Sequence, residues 1–151
     1  LPTNEIFTGD NVAVLSTWPD ACIDLVVTSP PYDNLRTYGG HTWDFEGVAR
    51  ELTRVLKPGG RFHHSDMLRP RNPIVKKLYY SYLRGCLGIT GLIVGSGPAA
   101  VQAKQYFMDA LELFYTAEDL SILLRELGFV DVRVDTVFHG MIGFHRATKA
   151  A

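Results

Sequence analysis

Cysteine is scarce. Cys22 and Cys86 are the only two in 151 residues, and they stand in no CxxC or Cys/His ligand spacing. A chain of this length buries roughly 70% of its unfolded surface and needs no staple. A disulfide scaffold and a zinc finger are therefore excluded, and reduced thiols in a cytoplasmic protein are the expectation. Nothing approaches the ~18 consecutive apolar residues of a membrane span, and the N-terminus has neither a basic n-region nor an apolar h-region. An excess of charge of one sign is missing too. Fifteen Lys and Arg against sixteen Asp and Glu leave a net charge of −1, whereas a non-specific grip on nucleic acid needs clustered cations. Internal repeats and low-complexity tracts are absent. The first residue is Leu1 rather than Met, so an N-terminal edge that is incomplete is expected.

What is present fits one soluble domain over 1–151: 46% hydrophobic and 21% charged residues is the composition of a packed globule. Charge is uneven along the chain. Between residues 61 and 90, Arg61, Arg69, Arg71, Lys76, Lys77 and Arg84 face a single acid, Asp66. A solvated helix flank accounts for this better than a phosphate-binding patch.

Residues 23–28 (IDLVVT) form a β-branched apolar run stopped by Ser29-Pro30-Pro31, as expected of a central strand buried on both faces. Apolar residues at helical spacing then predict a helix over 45–56, capped by Asp44 and halted by Lys57-Pro58-Gly59-Gly60. A second strand is expected from Arg61 to Ser65, which makes a strand, helix, strand crossover of the kind that builds parallel sheets. His63 and His64 sit badly in such a strand. One of them must face the core, so replacing both by Val is expected to stabilise the protein.

Further on, the spacing predicts a helix over 73–83, a Gly-rich segment over 85–97 and a helix over 99–113. Thr116 with Asp119 caps another helix carrying Leu120, Leu123, Leu124 and Leu127, which Gly128 ends. Residues 130–138 and 141–145, separated by His139-Gly140, read as a terminal antiparallel strand pair.

The sharpest constellation is Thr28-Ser29-Pro30-Pro31-Tyr32, directly after the first strand. Ligands of open α/β sheets sit beyond the carboxyl ends of strands, so a concave pocket is expected there. Two prolines hold the backbone extended and leave the carbonyls of Ser29 and Pro30 free as acceptors. Such a rigid pair suits both hydrogens of a planar exocyclic amine and favours the pyramidal nitrogen formed during attack on an electrophilic methyl. Tyr32 is placed to stack on the ring. The plainer alternative, a strand ended by a proline turn, explains Pro30 and Pro31 but not Ser29 and Tyr32.

TSPPY, with Thr8-Gly9-Asp10 before it and Asp33-Asn34-Leu35-Arg36 and Arg54-Val55-Leu56-Lys57-Pro58-Gly59-Gly60 after it, resembles the DNA amino-methyltransferases that act on a flipped-out base. The resemblance implies that Ser29 and Pro30 orient the target amine, that Tyr32 stacks on the base, and that Asp10 and Thr28 belong to the cofactor site. After Gly60 the likeness changes. Residues 61–149, including SDMLRPRNPIVKKLYYSYL and LSILLRELGFVDVRVDTVFHGMIGFHRATK, resemble the carboxyl half of the ubiquinone/menaquinone C-methyltransferases.

Both families imply an α/β, Rossmann-like class I methyltransferase fold with S-adenosylmethionine as cofactor. The expectation is thus a chimera with a seam near 58–61, acting on a nucleobase in DNA or on a small aromatic or quinone substrate. The quinone family also implies a lid to which Tyr79, Tyr80, Tyr82 and Phe107 contribute, although core packing explains aromatics at that spacing equally. Missing from the sequence is the acidic-Gly-x-Gly loop, with its following ribose-binding acid, that holds the cofactor in such folds. Its absence, with that of the first strands, leaves a partial or non-catalytic domain, self-associating through an unpaired sheet edge, as the rival expectation. One decoy remains: Gly91-Leu92-Ile93-Val94-Gly95-Ser96-Gly97-Pro98-Ala99-Ala100, a short apolar run entering GxGxxA with a helix leaving, looks like a flavin or nicotinamide fingerprint, which makes Gly95 and Gly97 candidate cofactor residues and a small flavin-binding module a third reading.

Overall fold

The computed structural model describes residues 4–29, 44–94, 105, 106, 108, 109 and 111–151. Helix α1 (Asn11–Ser16) starts at Asp10, whose carboxylate accepts from the Ala13 amide at 2.9 Å. Strand β1 (Ile23–Thr28) follows, then α2 (Phe45–Val55) and β2 (Leu56–Met67). Asp44 caps α2 by accepting from the Gly47 amide at 2.9 Å, which satisfies one of the donors a helix start leaves open. The long helix α3 (Pro73–Val94) comes next, then α4 (Ala117–Glu126), β3 (Phe129–Val137), a 3-10 turn (Phe138–Gly140) and β4 (Ile142–Lys149). The described residues between 105 and 113 are helical.

The strands form one sheet in the order β1-β2-β4-β3. β1 and β2 run parallel, joined through α2, and β2, β4 and β3 pair antiparallel. The expected crossover and terminal strand pair are both present. β1, however, lies at an edge of the described sheet rather than at its centre.

Three further readings need correction. First, β2 begins at Leu56, not near Arg61. Ile23 is opposite Leu56 and Leu25 is opposite Arg61, so the intervening residues bulge out of the ladder. Gly59 adopts φ +74° there, a conformation that glycine reaches without a Cβ penalty. The Pro-Gly-Gly turn therefore interrupts the strand instead of preceding it.

Second, α3 continues past Leu83 to Val94 and absorbs Gly85, Gly88 and Gly91. Each glycine costs a helix about 1 kcal/mol relative to alanine, but the half-buried stripe persists through Leu83, Leu87 and Gly91. Ile89, Leu92 and Ile93 are exposed along this part, so burial does not account for the helix running on through the glycines.

Third, β1 is covered on one face only. Val26 is 9% exposed, whereas Leu25 and Val27 are 51% and 70% exposed among the described residues. A continuous apolar run is the mark of two-faced burial, yet α2 and α4 supply cover on one side alone.

That covered side holds the core: Val26, Leu56, Leu68, Leu124, Phe129 and Ala147 pack together, and the rings of Phe62 and Phe129 meet at 5.3 Å. A smaller cluster joins α3 to the 105–113 stretch, where Tyr80, Met108 and Leu111 are buried and the Tyr80 hydroxyl donates to the Leu111 carbonyl at 2.8 Å.

The cap of α4 is reciprocal, as its sequence implies. Thr116 Oγ1 accepts from the Asp119 amide at 3.1 Å, and the Asp119 carboxylate accepts from the Thr116 amide at 3.4 Å. Because α4 places Leu120 and Leu124 in the core, Thr116→Ala is expected to lower stability by about 1 kcal/mol. Urea denaturation checks this through a lower midpoint with an unchanged slope.

Candidate functional site

The carboxyl ends of the two parallel strands converge where the sequence places its chemistry. Thr28 ends β1 opposite His64 of β2, and His64 in turn is opposite His145 of β4. These three side chains form a row on the covered face. Thr28 and His64 border an apolar recess whose walls include Val48, Leu52, Phe62 and Leu123. Ser29, exposed, follows immediately.

The His64 side chain is 11% exposed, with Nε2 3.9 Å from Asp66 Oδ2 and a buried Nδ1 that has no hydrogen-bond partner. His145 is 1% exposed. Its Nε2 lies 3.0 Å from the Ala117 carbonyl, a contact that fixes the proton on Nε2 and leaves Nδ1 as an acceptor. The two imidazoles meet edge to face at 6.0 Å.

Burial, and then the neighbouring His145, push the His64 pKa down to about 4. Burial also lowers that of His145, against the raising effect of the Ala117 carbonyl. The Asp66 carboxyl is pushed up by burial, partly offset by the Met67 amide, which donates to it at 2.7 Å. Both imidazoles are thus neutral at pH 7, a polar seam inside an apolar layer. Among the described residues no group of three His, Cys, Asp or Glu is arranged to hold a metal ion.

The expectation that one of the paired histidines faces the core is met by His64, while His63 lies on the opposite, open face between Val27 and Arg146. Asp10 is exposed and its carboxylate is engaged in capping α1. Pro30, Tyr32, Gly95, Gly97 and Phe107 lie outside the described residues. The run 91–94 that leads into Gly95 is helical, not a strand, so the dinucleotide reading loses the strand-to-turn geometry it requires. Of the proposed lid residues, Tyr80 is buried in the α3 cluster and Tyr82 is exposed. Asp66 and His145 were not singled out from the sequence. The signal available was strand periodicity: residues two apart share a face, so Phe62, His64 and Asp66 form one set.

Among known proteins, the ubiE/COQ5 methyltransferase family matches residues 36–149. The chain belongs to this family. It is 30% identical over 106 residues to the demethylmenaquinone methyltransferase of Tropheryma whipplei strain Twist, covering 70% of this chain and 43% of that protein. It is 61% identical over 41 residues to the orphan methyltransferase M.BamHII of Bacillus amyloliquefaciens, 27% of this chain and 16% of that one. A crystal structure of a SAM-dependent methyltransferase from Thermotoga maritima superposes with a TM-score of 0.53 at 17% identity, over 88% of this chain and 59% of that one. The α/β, Rossmann-like methyltransferase fold is thereby shown. The chain spans less than half the length of the demethylmenaquinone methyltransferase it matches.

The buried imidazoles make acid stability a test of this site. Above about pH 6.5 His64 is neutral whether folded or unfolded; between about 6.5 and 4 only the unfolded chain takes up the proton. Stability must therefore fall as pH drops through that window, by on the order of 3 kcal/mol. Urea titrations at pH 7 and pH 4.5 check this. The His64→Val variant is expected to unfold at higher urea at pH 7, having lost an unpaired buried nitrogen, and to show a shallower pH dependence.

Proposed function

We propose that this chain serves S-adenosylmethionine-dependent methyl transfer to a ring carbon of a small aromatic or quinone acceptor. The observation that carries the reading is the family match over residues 36–149, which takes in both the crossover helix and the terminal strand pair. When bound, the cofactor supplies the electrophilic methyl group. In this reading the acceptor lies beyond the carboxyl ends of β1 and β2, where Ser29 is exposed and its carbonyl would orient a polar ring substituent.

A second reading, methylation of a nucleobase amine, is favoured by the TSPPY motif and by the 61% identity to M.BamHII. The net charge of −1 weighs against duplex DNA as the acceptor. The seam proposed near 58–61 lies inside the family match over residues 36–149.

The residues described fit the cofactor incompletely. Asp10 offers an exposed carboxylate, but it is occupied as a helix cap, and no Gly-rich loop with a following ribose-binding acid occurs among the described residues. One hydrogen-bonded contact contributes about 0.5–1.5 kcal/mol, or up to ~3 with a charged partner, whereas micromolar affinity requires about 8 kcal/mol. No reaction step is therefore assigned to protein groups around the cofactor.

Calorimetric titration of this chain with S-adenosylmethionine is expected to give a dissociation constant weaker than about 10 μM. Tighter binding that is lost in Asp10→Ala would instead assign the adenine end to that carboxylate. For the acceptor, transfer of a radiolabelled methyl group at saturating cofactor is measured with a small hydroquinone and with duplex DNA in parallel. Label in the hydroquinone alone supports the proposed reading, and label in DNA alone replaces it with the second.

A further inference from the structure

Between α2 and α4 the covered face of the sheet is not filled. The recess there has a volume of about 70 Å³ and is bounded by Val48 and Leu52 of α2, Leu120 and Leu123 of α4, and Phe62 of β2. Its walls and floor therefore come from elements of this chain, on the covered face and not at the outer edge of β1. Packed interiors leave few voids larger than a water molecule.

Three polar residues reach the recess: Thr28, Thr53 and His64. The Thr53 hydroxyl is satisfied, since it donates to the Ala49 carbonyl at 2.7 Å. The other two stand directly opposite each other on β1 and β2, and both lack a partner. Among the described residues nothing is hydrogen-bonded to the Thr28 hydroxyl. His64 Nδ1 has no partner either, and Nε2 is 3.9 Å from Asp66 Oδ2, beyond hydrogen-bond reach. Unmet polar groups beside an apolar pocket cost free energy that a ligand hydroxyl would recover.

We propose that this recess binds a small phenol, with the ring edge against the leucines and the hydroxyl between Thr28 Oγ1 and the His64 imidazole. A closed cavity that holds benzene has about 150 Å³, so about half of a ring enters. The hydroxyl stays at the end marked by Thr28, next to the exposed Ser29. There the phenol oxygen accepts from Thr28 and its proton is donated to the imidazole lone pair. The inference rests on the reading of the acceptor as a small aromatic molecule and names where its ring is anchored.

Binding is measured apart from transfer. Titration of the full chain with phenol, followed through the NMR signals of the Leu52 and Leu123 methyl groups, is expected to show saturable shifts with a dissociation constant on the order of 1 mM. Thr28→Val keeps the side-chain shape and is expected to weaken phenol about three- to tenfold relative to toluene, which has no hydroxyl. Ala49→Leu, on the α2 wall, is expected to fill the recess and abolish the binding of both, with an unchanged far-ultraviolet spectrum. No saturable shift up to about 10 mM phenol would overturn the proposal. So would an equal change for phenol and toluene in Thr28→Val, or phenol binding that survives Ala49→Leu. Phenol binding by a chain that transfers no methyl group to a hydroquinone would support the recess and count against the proposed reaction alone.

Discussion

β2 has to satisfy hydrogen bonds on both edges at once, parallel to β1 and antiparallel to β4. That requirement fixes which side chains face the helices. Leu56 is fully buried, and Phe62 and His64 point the same way; a slip of one residue would send Phe62 and His64 to the open face and bring Arg61 and His63 under the helices. The bulge at Lys57–Gly60 lets Leu56 and Arg61 pair with positions only two apart on β1 without breaking this assignment. The far end is fastened by Lys149, whose Nζ donates to the carbonyls of Thr53 and Leu56, both at 2.7 Å. These are acceptors that the end of α2 leaves open, and a cation beside a helix C-terminus is favourable. One side chain thus ties the last strand to the crossover helix.

A covered face containing two imidazoles costs stability that an aliphatic face would not. The row Thr28, His64, His145 crosses three strands, and two ring nitrogens in it have no hydrogen-bond partner. The compensation is local. His145 is held by the Ala117 carbonyl at the first turn of α4, so the same imidazole that dilutes the apolar layer positions the helix covering it. His64 has no equivalent bond, and its position opposite Thr28 places that uncompensated polarity beside the end of β1. Departures from good packing concentrate at functional sites, and His64 is the departure on this face.

How much was legible follows the range of the interaction involved. The caps by Asp44 and by Thr116 with Asp119 and the turn before β4 depend on residues within about four positions, and each is found where the sequence places it, whereas the Pro-Gly-Gly expected to stop α2 lies inside β2. The length of α3 was not legible, because three glycines argue locally for a break, and its cluster with Met108 and Leu111 involves Tyr79, Tyr80 and Leu83, all before the first of them. The one-sided burial of β1 was not legible either: IDLVVT is the same string whether one face or two are covered. At the site, Ser29 and Thr28 were found through a motif. Asp66 and His145 escaped it because their proximity is set by pairing between β2 and β4, far apart in sequence.

The basic stretch in the middle of the chain shows how a sequence feature is resolved by what folds against it. Arg69 reaches the Glu112 carbonyl at 3.2 Å and the Asp119 carboxylate at 3.8 Å. Arg71 pairs with Glu118, and Lys76 with Glu112. Three of the six cations are thereby set against acids from the segment that contains α4, acids that in sequence lie some forty residues away. Exposed ion pairs of this kind add little stability, but each cation so engaged is less available to a phosphate, and counterion release from DNA scales with the number of phosphates neutralised. Half of the basic segment is thereby engaged from within the fold, as its reading as a solvated helix flank implies.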